Sequence, residues 1–298
     1  MNTPEHEAAL PTVAVALRQA TAALSRAGIE GAGNDARRLL VEATGLSSAQ
    51  VLARPEEPLT LEQSRTFLAY VERRAQRAPL SRILGVREFY GRPFKLSPAT
   101  LDPRPDSETL ITAALGLARE EGWLDTPLRI LDVGTGTGCL LLTLLSELPK
   151  ATGLGTDISP VALDTASENA QRLGVADRAD WRIADALDGV VGPFDILISN
   201  PPYIRSGDIA DLEREVRDFD PIAALDGGSD GLRVYRRLAD AISSVIPDGW
   251  IILEVGYDQA DAVAGLLMSS PTRMAPDDIR YFRDVAGKRR CVAGRTRN

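Results

Sequence analysis

From about residue 108 onward, short apolar runs alternate with longer amphipathic ones, and few folds accept that alternation. "LRILDVG" reads as a strand and "GCLLLTLLSEL" as its helix. "ATGLGTDIS" follows as a second strand, with "PVALDTASENAQRLG" as the next helix. "ADWRIADAL", "FDILISN" and "GWIILEVG" supply three more strands, and "IRYFRDVAGKRRCVAGR" a closing hairpin that turns near Gly287. Strands separated by helices imply a parallel sheet with helices on its faces. The expected class is therefore α/β, and in such open sheets ligands sit beyond the carboxyl ends of the strands.

The first part of the chain follows a different period. "PTVAVALRQATAALSRAG" reads as an amphipathic helix ending at Gly28, and "NDARRLLVEATGL" as a second, with Asn34 as its N-cap and Gly45 as its stop. "TLEQSRTFLAYVERRAQRAP" is a third, with Thr60 and Gln63 at capping-box spacing. Between them and the α/β part, "ILGVREFYGRPFKLSPATLDPRPDSE" holds β-rich pieces around Tyr90-Gly91 and then a run of prolines. The expected organisation is a small helical bundle over 1–78, a hairpin and connector over 79–107, and the α/β domain over 108–298.

Composition removes several chemistries. His6 is the one histidine, in a polar N-terminal stretch expected to fray, so a histidine base, a catalytic triad or a histidine-rich metal site is not expected. Cys139 and Cys291 stand apart with no ligand pattern around them and read as small buried side chains. No metal is expected. The sequence has no leader-like start and no run near the roughly 18 apolar residues of a membrane span, so a cytoplasmic chain is expected. Charge is uneven. Residues 1–90 carry 11 Arg against 10 acidic residues, whereas the remainder holds 23 basic against 32 acidic within a net charge of −8. An acidic second half argues against sequence-independent grip on a phosphate backbone.

Three strand ends carry candidate chemistry. "DVGTGTG" runs from Asp132 to Gly138, with Gly134, Gly136 and Gly138 interleaved by Thr135 and Thr137. Glycine at every second position lets the backbone turn tightly and approach a ligand. The spacing differs from the G-x-G-x-x-G that favours a dinucleotide, which disfavours a nicotinamide oxidoreductase. Asp157, ending the second strand, can accept from both hydroxyls of a ribose. Asp185, at the end of the third, could meet an adenine edge or be a plain turn residue. Together they point to a nucleoside cofactor. With this glycine form the arrangement resembles the S-adenosylmethionine-dependent methyltransferases. That resemblance implies a Rossmann-like domain, with Asp132 near the cofactor's amino-acid portion and Gly134 to Gly138 around it.

The fourth strand ends in "SNPPYI". An amide nitrogen attacks poorly because its lone pair is delocalised into the carbonyl. Acceptors aimed at its N–H groups, here the Asn200 side-chain oxygen and the Pro201 carbonyl, would orient it and favour rehybridisation as a bond forms. Pro201 and Pro202 fix φ and stiffen the loop, and Tyr203 offers a flat face to a planar target. Asn200 also borders the cofactor side. The motif serves amino groups of adenine, guanine and glutamine alike.

"EFYGRPFKLSPATLDPRPDSETL", "DVGTGTGCLLLTL", "TDISPVALDTASENAQRLG", "SNPPYI" and "LDGGSDGLRVYRRL" together resemble the bacterial glutamine methyltransferases of peptide chain release factors, over essentially the full length. The resemblance implies N5-methylation of the glutamine in the Gly-Gly-Gln motif of class 1 release factors, with S-adenosylmethionine as donor, no direct nucleic-acid substrate, and a monomer. It assigns Gly134 through Gly138, Asp157 and Ala186 to the cofactor and Asn200, Pro201, Pro202 and Tyr203 to the glutamine. Asp102 departs from the pattern where an apolar residue is expected, and Ala186 where some members carry a large aromatic.

Other residues keep two readings. Arg65, Arg73, Arg74, Arg77, Arg82 and Arg87 could meet a protein substrate or form a solvated helix face. Gly227 and Gly228 are a turn that could flank the site. Arg104 and Asp106 could close over a cofactor or only stiffen the connector. A nucleic-acid amino methyltransferase is the alternative activity, and a non-catalytic binding protein the alternative class.

Overall fold

A computed structural model describes residues 10–271 and 274–297; His6 lies outside them. The chain divides into two compact units, one running to Gly85 and the other from Val86, so residues 79–107 are shared between them.

The first unit holds α1 (Val13–Arg26), α2 (Ala32–Thr44), α3 (Ser48–Ala53), α4 (Leu61–Ala75) and α5 (Leu80–Leu84). Helix α4 starts at the expected box: Thr60 accepts from the Gln63 N–H, and Gln63 returns to the Thr60 N–H. Helix α3, too short for its period to show in the sequence, has the same box at Ser47 and Gln50. Asn34 does not cap α2. Gly31, left-handed at φ 68°, turns the chain into the helix first, and its carbonyl takes the Asn34 N–H at 2.8 Å. Leu24, Leu39, Leu40 and Phe67 fill a core of this unit's own. Arg74 pairs with Asp35 at 2.7 Å, tying α4 to α2.

The second unit opens with the hairpin β1 (Val86–Phe89) and β2 (Arg92–Lys95). Its turn is Tyr90-Gly91, both left-handed, the geometry a tight hairpin needs. Then come α6 (Glu108–Glu120), β3 (Arg129–Val133), α7 (Cys139–Glu147), β4 (Thr152–Asp157), α8 (Pro160–Leu173) and β5 (Ala179–Ile183). After β6 (Ile196–Ser199) follow the short α9 (Arg214–Arg217), α10 (Arg233–Val245), β7 (Gly249–Glu254), α11 (Ala260–Ser269), β8 (Ile279–Arg283) and β9 (Arg289–Thr296). The main sheet has the order β5-β4-β3-β6-β7-β9-β8. The strands from β5 to β7 run parallel and β9 enters antiparallel. This is a Rossmann-like α/β sheet. The chain moves outward from β3 through β4 to β5, then returns to β6 on β3's other side. That reversal opens a crevice at the carboxyl ends.

Burial explains the strand sequences. Every residue of β6 and β7 is buried, so both read as unbroken apolar runs. Strand β4 carries Gly153 and Gly155 because its neighbours lean in. A Cβ on Gly153 would meet Leu141 at 2.3 Å, and one on Gly155 would meet Trp181 at 2.4 Å.

Candidate active site

A cavity of ≈ 670 Å³ lies at the carboxyl ends of β3, β4 and β6. Gly134 through Thr137 form one wall, Asp157 and Ala184 through Ala186 another, and Asn200, Pro201 and Pro202 a third. Asp132, Gly138 and Tyr203 stand behind these walls rather than in them.

The glycine turn needs its glycines for two reasons. Gly134, Gly136 and Gly138 are all left-handed, at φ 71°, 55° and 79°. A Cβ on Gly138 would also strike Leu142 at 2.9 Å, where the chain enters α7. The turn is pinned from three sides. Thr135 N–H donates to the Thr156 carbonyl at 2.8 Å, Gly136 N–H to Asp157 Oδ2 at 2.9 Å, and Asn169 Nδ2 to the Thr137 carbonyl at 2.9 Å. Asn169, wholly buried on α8, also exchanges bonds with the Lys95 backbone and so joins hairpin, helix and turn.

Asp157 accepts from the Ser159 N–H as well, at 2.9 Å. Burial raises its pKa despite these bonds. Asp185 lies two residues past β5, and its carboxylate pairs with Arg237 of α10 at 2.5 Å. Ala186 is a left-handed non-glycine residue, φ 54°, on the cavity wall; an alanine costs less there than a branched side chain.

Asn200 Nδ2 donates to Ser107 Oγ at 3.1 Å. The two prolines carry the chain to Tyr203, whose expected open face is not on the cavity. Its ring packs on the apolar cluster around Tyr235, Leu253 and Val255, and its hydroxyl donates to Glu254 Oε1 at 3.3 Å. Burial, then the nearby Glu254, pushes the Tyr203 pKa up. The loop 226–231 lies flat against this motif. A Cβ on Gly227 would meet the Pro202 carbonyl oxygen at 2.7 Å, and one on Gly231 the Tyr203 carbonyl oxygen at 2.4 Å. The glycines of "LDGGSDG" thus flank the site.

Two buried carboxyls complete it. Asp132 is fully buried, with Thr135 Oγ1 donating to one oxygen at 2.6 Å and no hydrogen-bond partner for the other among the described residues. Burial pushes its pKa up to about 7. Glu254, at the end of β7, is pushed up to about 7 by burial as well, against the lowering effect of the Ser107 and Tyr203 hydroxyls. Sequence reasoning missed Glu254 and Ser107, although a lone carboxylate ending the apolar run "GWIILEVG" was a signal.

The departures and open readings resolve locally. Asp102 is turned from the cavity: its side chain pairs with Arg87 at 3.7 Å and its N–H donates to Asp220 at 3.2 Å. Arg104 bonds Asp220, and Asp106 pairs with Arg290 at 3.0 Å. Of the arginines, Arg73 donates to the Arg82 and Ile83 carbonyls and Arg77 to the Ala27 carbonyl, work that stiffens their own unit. Both cysteines are free thiols, Cys291 buried and Cys139 partly so. Among the described residues no cluster is arranged to hold a metal, and no helix is long and apolar enough to cross a membrane.

Comparison with known proteins follows the same division. Residues 15–85 match the family described as PrmC N-terminal domain, and residues 122–215 the family described as Methyltransferase small domain. A Rhodospirillum rubrum protein named release factor glutamine methyltransferase is 45% identical over 275 residues, covering 92% of this chain and 82% of that one. One of the same name from Bradyrhizobium diazoefficiens is 44% identical over 281 residues, covering 94% and 93%. Among solved structures, the hMettl16 catalytic domain in complex with MAT2A 3'UTR hairpin 6 superposes with a TM-score of 0.52. It is 16% identical, over 76% of this chain and 81% of that one, a likeness of fold.

Proposed function

The chain belongs to the release factor glutamine methyltransferase family, and we propose that it methylates the side-chain amide nitrogen of the Gly-Gly-Gln glutamine in class 1 peptide chain release factors, with S-adenosylmethionine as donor. The observation that carries this reading is the convergence of the glycine turn, Asp157 and Asn200-Pro201-Pro202 on one cavity.

The residues fit that donor. Among the described residues nothing beyond the chain neighbours stands within 4 Å of where a Cβ on Gly134 or Gly136 would lie, so the turn leaves room beside it. Asp157 keeps lone pairs beyond its two backbone bonds, enough for ribose hydroxyls. Gly134 through Thr137, Asp157, Asp185 and Ala186 would hold the cofactor, with Asp132 and Gly138 supporting the turn from behind. When bound, it supplies a methyl group on a sulfonium, an electrophile whose leaving group needs no proton.

The remaining work falls to the chain. Asn200 Oδ1 and the Pro201 carbonyl accept from the target amide and hold its nitrogen for in-line attack. The prolines fix this geometry before binding, and Tyr203 braces it from behind through Glu254. The nitrogen becomes acidic only once the new bond forms and then sheds its proton to solvent, so the bond-making step needs no strong base. The helical unit serves to recognise the release factor, as a monomer in the cytoplasm.

Incubating the chain with labelled cofactor and either a release factor or tRNA, rRNA and DNA tests the reading. We expect one added methyl on the Gly-Gly-Gln glutamine; label in nucleic acid alone defeats it. Asn200→Ala should lower turnover by about 100-fold while cofactor binding, followed by calorimetry, stays largely intact.

A further inference from the structure

Three stretches of chain that line the cavity are tied to one another end to end, all inside the unit that begins at Val86. The connector lines it with Leu101 and Pro103, the motif after β6 with Asn200 and Pro201, and the stretch ahead of α10 with Pro221 and Ala223. The first tie is at Asn200, whose Nδ2 donates to Ser107 Oγ of the connector at 3.1 Å. The second is at Ile204, whose N–H donates to the Leu225 carbonyl at 3.0 Å and whose carbonyl takes the Gly227 N–H at 2.8 Å. Asp220 makes the third. Its Oδ1 accepts from the Asp102 N–H at 3.2 Å, and its Oδ2 from Arg104 Nη2. The ties close a ring that runs through 102–107, 200–204 and 220–225 and returns to its start.

The Asp220 side chain is 1% exposed, so its carboxylate is buried against two donors that reach in from the connector. A buried charge is kept where such partners meet it. On the connector side the clasp is anchored further, since Arg87 of β1 pairs with the Asp102 carboxylate at 3.7 Å. Between the ties the ring is stiff, because Pro103, Pro105, Pro201, Pro202 and Pro221 each fix φ. Stiff segments carry what happens at the clasp to the rest of the ring. Once Asp220 lets go, the connector and the stretch 220–225 can move apart about their ties to Asn200 and Ile204.

We infer that Asp220 is a positioning residue: it clasps this ring shut and so holds the mouth through which the target glutamine reaches Asn200. The inference rests on the methyl-transfer reading above for what enters the mouth, but not for the clasp. The glycine turn and Asp157 lie outside the ring, at the ends of β3 and β4. A slack ring therefore weakens capture of the target, which must order the mouth as it enters, and spares the cofactor.

The test uses the full chain and has two arms. Asp220→Asn keeps the shape, but an amide has one oxygen, so whichever way it turns one of the two donors loses its acceptor. In the first arm, backbone hydrogen exchange is followed without substrate. The variant should exchange about tenfold faster than the wild type in both 102–107 and 220–225, with the glycine turn unchanged. In the second, kcat and KM are measured with a release factor and labelled S-adenosylmethionine. KM for the release factor should rise about tenfold, while kcat and the affinity for S-adenosylhomocysteine change by less than about threefold. Arg104→Gln should act in the same direction, and the double variant should lose no more than the worse single one, since both open one clasp. Arg104→Gln, which changes the more exposed partner, is read by the same criteria in both arms where Asp220→Asn does not fold. Exchange that quickens in one stretch or in neither overturns the inference. So do losses that multiply in the double variant, or a loss that falls on kcat or on cofactor affinity instead of KM. A wild type that methylates no release factor defeats the proposed function instead, and the first arm still decides the clasp.

Discussion

Asp132 and Glu254 are carboxyls that the fold would rather keep neutral, and each has a consequence for stability. Burial raises both to about 7, from 3.8 and 4.5. Between those values the folded chain binds protons that the unfolded chain has released. This contribution is therefore fully present below about pH 4 and lost as pH rises through about 7. Asp132→Asn, which keeps the shape and removes the charge, should raise Tm at pH 8 by more than at pH 5.5, the extra stabilisation at pH 8 amounting to about 2 kcal/mol. Equal effects at the two pH values, read by thermal denaturation, would mean the carboxyl is not penalised by burial. The site was legible where it was local in sequence. "DVGTGTG" and "SNPPYI" announce themselves because their residues act as neighbours. Ser107 and Glu254 do not, because 147 positions separate them and each looks ordinary beside its own neighbours.

Among the elements, the loop 226–231 shows how a backbone can be held by what is missing from it. Gly231 is left-handed, and a Cβ there would stand 2.4 Å from the Tyr203 carbonyl oxygen. Gly174, which ends α8, is equally left-handed, but among the described residues a Cβ there would meet nothing within 4 Å beyond its own chain neighbours. Gly174→Ala should cost about 1 kcal/mol, the conformational price alone. Gly231→Ala should cost about 1–3 kcal/mol more and should lower kcat as well, because the obstructing atom belongs to the candidate catalytic loop. Chemical denaturation alongside turnover separates the two; equal costs and unchanged kcat would deny the close approach any role. The longer elements were readable from their periodicity. Helices α3 and α5, at 6 and 5 residues, complete too few turns for a period to show. The start of α2 was misread because Gly31 supplies by backbone conformation what Asn34 offers by side chain.

In the whole molecule, each unit has its own core, and every residue lining the cavity belongs to the unit that begins at Val86. Residues 86–298 expressed alone should therefore fold and bind S-adenosylhomocysteine within about fivefold of the full chain. Methylation of a release factor should fall through KM, since the proposed recognition unit is gone. A folded fragment that binds no cofactor would show the cavity to depend on the helical unit. The alternation of strands and helices made a parallel sheet foreseeable. The order of its strands was not, because position in a sheet is set by which faces pack together and leaves no mark on any single segment.

One wall of the cavity is fastened from outside. Arg237 of α10 holds Asp185 at 2.5 Å and Asp188 at 3.0 Å, with all three side chains well exposed. Such bonds sit within reach of mobile ions, whose screening length is about 8 Å at physiological strength. Adding salt should slacken this clasp while leaving the buried walls untouched. Cofactor affinity should thus decline as ionic strength rises, and Arg237→Gln should bind weakly from the outset and respond little to further salt.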